Sequence, residues 1–132
     1  MSSVVLAVAL ALASPPPVPP APASCMAIVD RTAALVGQAV DVLAAEKQKR
    51  GQGSAEAGVA ALGAWVTANR EAVAKERRAA ADLHVTLATP DRDRCALYAQ
   101  STFHRVLTRV TDLAAFYADR AEVWRLLGDL FR

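Results

Sequence analysis

Apolar residues recur at three- and four-residue steps from Cys25 almost to the C-terminal end of the chain, the period of helices that bury one face. In the first segment, about Cys25 to Arg50, the stripe is Cys25, Val29, Thr32, Val36, Ala39, Val40 and Leu43. Asp30, Gln38, Asp41 and Gln48 fall on other faces. Lys47, Lys49 and Arg50 crowd the last turn, where cations oppose the negative end of the helix dipole, and Gly51-Gln52-Gly53 stops the helix.

A second helix is expected to start at Ser54 as N-cap and run to about Leu87. Its seam is Val59, Leu62, Val66, Asn69, Val73, Glu76, Ala80, Leu83 and Leu87. Glu76 is placed at the margin of that seam and Asn69 nearer its centre, where a buried amide fixes helix register. "TPDRD" then predicts a third helix, with Thr89 as cap, Pro90 at the first helical position, and Asp91 and Asp93 facing the positive dipole end. Its stripe is Cys95, Ala99, Thr102 or Phe103, Val106, Val110, Leu113 and Tyr117. Asp119 followed by Glu122 has the spacing of a capping box and marks a short fourth helix to Phe131; with no glycine or proline near 119, an unbroken third helix fits almost as well.

Short connections between long helices make neighbours antiparallel. The fold class expected is therefore all-α, an antiparallel up-and-down helical bundle of three long helices plus a short C-terminal helix, spanning residues 25–132. Composition agrees: 30 of the 132 residues are alanine, and aromatics make up only 5%. That mixture suits slender, closely packed helices rather than sheets.

The N-terminal region changes the picture from fold to compartment. Every charged residue lies at Asp30 or later. Val4 to Ala13 is a ten-residue apolar run, long enough for a signal-peptide core and about half of what a membrane-spanning helix needs. Ala11-Leu12-Ala13 before Ser14 is the favoured cleavage site, giving a signal peptide at 1–13; Ala21-Pro22-Ala23 is hindered by its proline. The opening "MSS" lacks the usual basic residue. Ser14 to Ser24 carries six prolines in eleven positions and reads as an extended linker or tail. An exported, periplasmic or secreted, protein is the expectation.

Export bears on the two cysteines. In the antiparallel arrangement Cys25, in the first turn of the first helix, and Cys95, in the second turn of the third, share one end of the bundle and its inward face. A Cys25–Cys95 disulfide is the expected pairing. A lipid anchor on Cys25 is disfavoured because Pro22 stands where a lipoprotein signal has an aliphatic residue. Ligation is the third alternative: Cys25, Met26, His84 and Cys95 converge at the same end, a set suited to copper(I), and Met26 with His84 is a haem ligand pair. In architecture the chain resembles the exported four-helix cytochromes, and that resemblance implies a haem or copper carrier as the alternative function. No Cys-x-x-Cys-His motif supports it, since Cys95 is followed by Ala96-Leu97-Tyr98. No resident cofactor or metal site is assigned.

Other chemistry is sparse. With 15 basic and 13 acidic residues, net +2, the chain lacks the basic stripe of a nucleic-acid binder. His104 lies opposite the buried stripe with Ser101 one turn earlier, and no carboxylate orients the pair. "KQKR" at 47–50 and "KERR" at 75–78 read as solvated faces. Trp65 and Trp124 sit at the edges of apolar stripes. No pocket is expected between alanine-lined helices, and no catalytic residue is assigned. The function expected is a small exported, non-enzymatic bundle with a binding or scaffolding role in the cell envelope, its protein partner unspecified.

Overall fold

The computed structural model describes residues 19–50, 55–117 and 120–131. The predicted signal peptide, most of the proline-rich linker, the Gly51–Gly53 stop, the Ser54 cap and Asp119 of the capping box lie outside these residues. Among the described residues there are four helices and no strand: α1, Ala23–Arg50; α2, Ala55–His84; α3, Thr89–Ala114; and α4, Arg120–Asp129. The fold is the expected all-helical bundle of three long helices and one short one.

Helix α1 starts two residues before Cys25. The Pro22 carbonyl accepts the first helical bond, from the Met26 amide at 3.0 Å, so the proline closes the linker and Ala23 and Ser24 already belong to the helix. Proline is tolerated there because its missing N–H has no helical partner anyway. Ala21 in the linker packs onto the bundle rather than trailing into solvent. Every residue of the predicted α1 stripe is buried, with Ala39, Val40 and Leu43 fully so.

Helix α2 ends at His84, one turn earlier than the seam suggests. The Thr86 hydroxyl donates to the Leu83 carbonyl at 2.8 Å, and the Thr86 amide donates to the same oxygen at 2.9 Å. A side chain that captures the last carbonyl competes with the next helical turn. Helix α3 is capped by Ala88, extended at φ −67°, ψ 155°, with no side-chain bond. Thr89 is therefore the first helical residue rather than the cap, and Pro90 follows it within the first turn, where it costs no hydrogen bond.

Helix α3 breaks at Ala114. The chain tightens through Phe116 N–H to Leu113 O, 3.0 Å, and Tyr117 N–H to Ala114 O, 3.1 Å. Neither glycine nor proline causes the break. Tyr117 does: its ring is buried, its hydroxyl donates to the Leu43 carbonyl at 2.5 Å, and a Cβ on Gly58 would overlap the ring. Anchoring this side chain between α1 and α2 turns the chain out of α3 and back as α4.

Helix α1 is the hub, packing against both α2 and α3, while α4 packs on α2. Leu126 faces Gly63, and Arg77 Nη1 reaches the Leu130 carbonyl at 3.5 Å, so α4 climbs along α2 in the same direction. The main core fills this half of the bundle: Leu43, Leu62, Val66, Val73, Val110, Tyr117, Val123 and Leu127, with Trp65 and Phe116 at its edge. Across the α1–α3 contact, the Tyr98 hydroxyl donates to Asp30 at 2.6 Å and Arg109 pairs with Asp41 at 2.7 Å.

Candidate functional site

Cys25 and Cys95 form a disulfide, with Cα atoms 6.0 Å apart and a sequence separation of 70. The pairing expected from antiparallel topology is met. It ties the first turn of α1 to the second turn of α3 at the end of the bundle away from the main core.

Beside this disulfide lies a cleft of about 320 Å³. Its floor is one face of α1, Cys25, Ile28, Val29 and Thr32, spaced at three and four residues. One wall is α2, with Glu76, Arg77, Ala80, Leu83, His84 and, beyond the helix end, Leu87. The facing wall is α3, with Arg92, Cys95, Ala96, Ala99 and Phe103, and Phe131 beyond the end of α4 closes the lower limit. The absence of a pocket expected from an alanine-lined bundle is thus corrected.

The cleft follows from helix lengths. At about 1.5 Å per residue α2 is about 45 Å long and α4 only about 15 Å, so the short helix fills a third of the seat that a fourth bundle helix occupies. Above Phe131 the cleft is lined by α1, α2, Leu87 and α3. The residues that the sequence pattern assigns to seams there, Ala80, Leu83, Leu87 and Ala99, are small or only half-covered, and Ala80 is exposed. Alanine is too short to close the gap from either side.

A few polar groups interrupt the apolar lining. The Glu76 side chain is 13% exposed. Its Oε1 accepts from Arg31 Nε at 3.1 Å, and its Oε2 is buried with no hydrogen-bond partner among the described residues. The hydrogen bond from Arg31 to Glu76, and then the Glu76 charge, raises the pKa of the Arg31 guanidinium above its ordinary value, against an opposing effect of burial. Arg92 Nε donates at 2.9 Å to the His84 carbonyl, which also accepts from the Leu87 amide at 3.4 Å, and sets a cation at the C-terminal end of α2. The Thr32 hydroxyl donates to Ile28 O at 2.8 Å.

The disulfide takes two members out of the proposed ligand set. Both cysteines are consumed in the disulfide, so neither is a thiolate. His84 lines the cleft but is exposed, and Met26 is not among the lining residues. No group of three or more His, Cys, Asp or Glu side chains suited to a metal occurs among the described residues. With both cysteines in the disulfide, the four-residue set proposed for copper is reduced to Met26 and His84. Ser101 and His104 are exposed on α3, as their face implies. Asn69 Nδ2 donates to the Trp65 carbonyl at 2.9 Å on its own helix, so it does not lock one helix to another. Trp65 is half-buried against the core and Trp124 is 40% exposed.

Glu76 is the residue that sequence reasoning undervalues. It stands on a seam step between Val73 and Ala80, and a charge on a seam is the available signal. Its place in the "KERR" run hides it: only part of that run is solvated, with Arg78 paired to Glu71 at 2.7 Å on the exposed face, while Glu76 and Arg77 line the cleft. Arg92 and Phe131 carry no sequence signal, because they reach the site only through the loop geometry and the end of α4.

The chain matches no protein-family model, no curated protein and no solved structure. Its class is therefore defined by fold and site alone: a small, disulfide-stapled helical bundle with an apolar cleft at the stapled end.

Proposed function

We propose that this protein is an exported, non-enzymatic helical bundle that acts by binding in the cell envelope, and that the cleft beside the Cys25–Cys95 disulfide is its binding surface. The cleft is the observation that carries this reading. It is concave, has the volume of a small-molecule site, and sets a few polar groups in an apolar lining, the usual chemistry of recognition. The uncharged apolar run Val4–Ala13 with its Ala-x-Ala site supports export, and a disulfide suits an oxidising compartment. No helix of the described residues is long and apolar enough to cross a membrane.

Two measurements test this. Intact mass of the natively produced protein is expected to show cleavage after Ala13, with two thiols appearing only on reduction. A full-length chain with free thiols removes export, and a diacylglycerol mass on Cys25 turns the protein into a lipoprotein. Binding is read with an environment-sensitive apolar dye. Saturable fluorescence enhancement is expected in the wild type and loss of it in Ala99→Trp, whose indole fills the cleft. A Soret band in the purified protein would instead make it a haem carrier.

A further inference from the structure

Glu76 Oε2 is a strong hydrogen-bond acceptor buried at an apolar cleft with nothing among the described residues donating to it. Buried polar atoms in folded proteins are almost always satisfied, and a lone acceptor is explained by a bound group or by an ordered water. The other carboxylate oxygen already accepts from a cation, Arg31 at 3.1 Å, so what Oε2 lacks is a hydrogen-bond donor. The group that completes this site is therefore a donor and not a counter-ion.

Charge on either side narrows the donor further. Arg92 lines the same cleft, and a cationic head at Oε2 would be driven against its guanidinium group in addition to that of Arg31. An anionic head would face the Glu76 carboxylate at short range, where the low local dielectric makes like charges costly. A neutral O–H or amide N–H meets neither penalty and forms a charge-assisted bond, stronger than an ordinary neutral one. The rest of the cleft asks for an apolar body. From Glu76 to His84 the α2 wall is about 12 Å long, and Ile28, Val29, Leu83 and Phe103 offer only hydrocarbon side chains to what lies along it.

We propose that the cleft takes a neutral single-chain amphiphile, its hydroxyl or amide N–H donated to Glu76 Oε2 and its chain laid along α2 toward the disulfide. This rests on the cleft being the binding surface, and it adds the chemical class of the ligand. Arg92 and Arg31 act as specificity groups: they exclude amines, while Glu76 excludes fatty acids.

The test is a set of four probes with one decyl chain, 1-decanol, decanoate, decylamine and the methyl ether of decanol, titrated into the intact disulfide-bonded protein. Displacement of the apolar dye and native mass spectrometry report binding. Decanol is expected to bind about tenfold or more tighter than each of the other three, the scale of one charge-assisted hydrogen bond. The ether isolates the donor without any mutation, because it keeps the oxygen and loses only the O–H. In Glu76→Leu the advantage of the alcohol over the ether is expected to vanish, and in Glu76→Gln, which keeps a carbonyl acceptor, to survive in reduced form. An ether that binds as well as the alcohol overturns the proposal and leaves a water on Oε2. Decanoate or decylamine binding tightest overturns it in favour of a charged head. If all four displace the dye equally, the cleft is still a binding surface and only the head-group assignment fails. If neither dye nor probe binds, the binding function itself fails.

Discussion

The Tyr117 hydroxyl donates to the Leu43 carbonyl at 2.5 Å, joining residues 74 positions apart in the interior of the bundle. One side chain thereby fixes where α3 ends, holds α1 against the turn, and requires glycine at position 58 of α2. Tyr117→Phe is expected to cost about 1 kcal/mol, the net value of the lost hydrogen bond, and Tyr117→Ala about 3–5 kcal/mol for the emptied volume. Gly58→Ala puts a methyl group into the ring and is expected to destabilise by about 1–3 kcal/mol although alanine is the better helix former. Chemical denaturation of the three variants measures this; a stabilised Gly58→Ala would show that the ring does not pack as described.

The Cys25–Cys95 bond spans a sequence separation of 70 residues, a loop closure worth about 4 kcal/mol on a chain-entropy basis. At that end the exposed Tyr98–Asp30 hydrogen bond is a second, weaker tie between α1 and α3. Removal of both cysteines, as Cys25→Ala with Cys95→Ala, is expected to lower Tm by more than about 10 °C. It should also raise hydrogen exchange first in the initial turns of α1 and α3, leaving the Leu43–Leu62–Tyr117 end protected.

The chain has two tyrosines, and both are held protonated beyond the ordinary phenol range. Burial, followed by the nearby Glu46 charge, raises Tyr117. The hydrogen bond to Asp30, then burial and the Asp30 charge, raises Tyr98, against smaller opposing effects of Thr102 and Arg105. A group whose folded pKa is raised contributes stability that is complete below the unfolded value, about 10. That contribution is lost as pH rises through the folded value. Alkaline titration followed by phenolate absorbance is expected to show neither tyrosine ionising at its unfolded value, with stability declining as pH climbs above it. A normal transition for the remaining phenol in Tyr98→Phe would mean that Tyr117 is not shielded.

On the acid side Glu122 has the opposite sign. Its hydrogen bonds from Arg125 hold its pKa below the usual carboxylate value, with burial opposing them and the Arg125 charge adding to them. A depressed pKa contributes stability above the unfolded value that is lost as pH falls through the folded one. Because this pair and Arg125–Asp129 are exposed on α4, Glu122→Gln is expected to change global stability little and to increase fraying of α4, read by amide exchange.

Exposed cross-helix ties should matter less than the interior. Asp41→Asn, which breaks the 2.7 Å pair with Arg109, is expected to cost under about 1 kcal/mol, and less at high salt. Leu43→Ala, at a fully buried position between α1 and the core, is expected to cost about 2–5 kcal/mol. Equal effects of the two would place the stability of the bundle on its surface.

The disulfide is legible in the sequence because it needs only helix direction: two cysteines on inward faces at the same end must meet. The cleft is not, because it is a difference between lengths. Ala80, Leu83, Leu87 and Ala99 continue the seam pattern without interruption, and periodicity alone does not report whether a fourth helix arrives to cover them. Glu76 shows the same limit. Its seam step is visible along the chain, but only the packed position of Arg31 reveals that one oxygen is paired and the other is not.

Period and alanine content were sufficient to determine three long helices, their antiparallel order and nearly all of the α1 face, since those follow from which side chains avoid water along one element. The tertiary structure decided where α3 breaks, which carboxylate is buried, and that the stapled end stays open. Each of these depends on one element meeting another: Tyr117 reaching Leu43 and Gly58, Arg31 reaching Glu76, and a ten-residue α4 giving out beside Arg77 before α2 ends at His84.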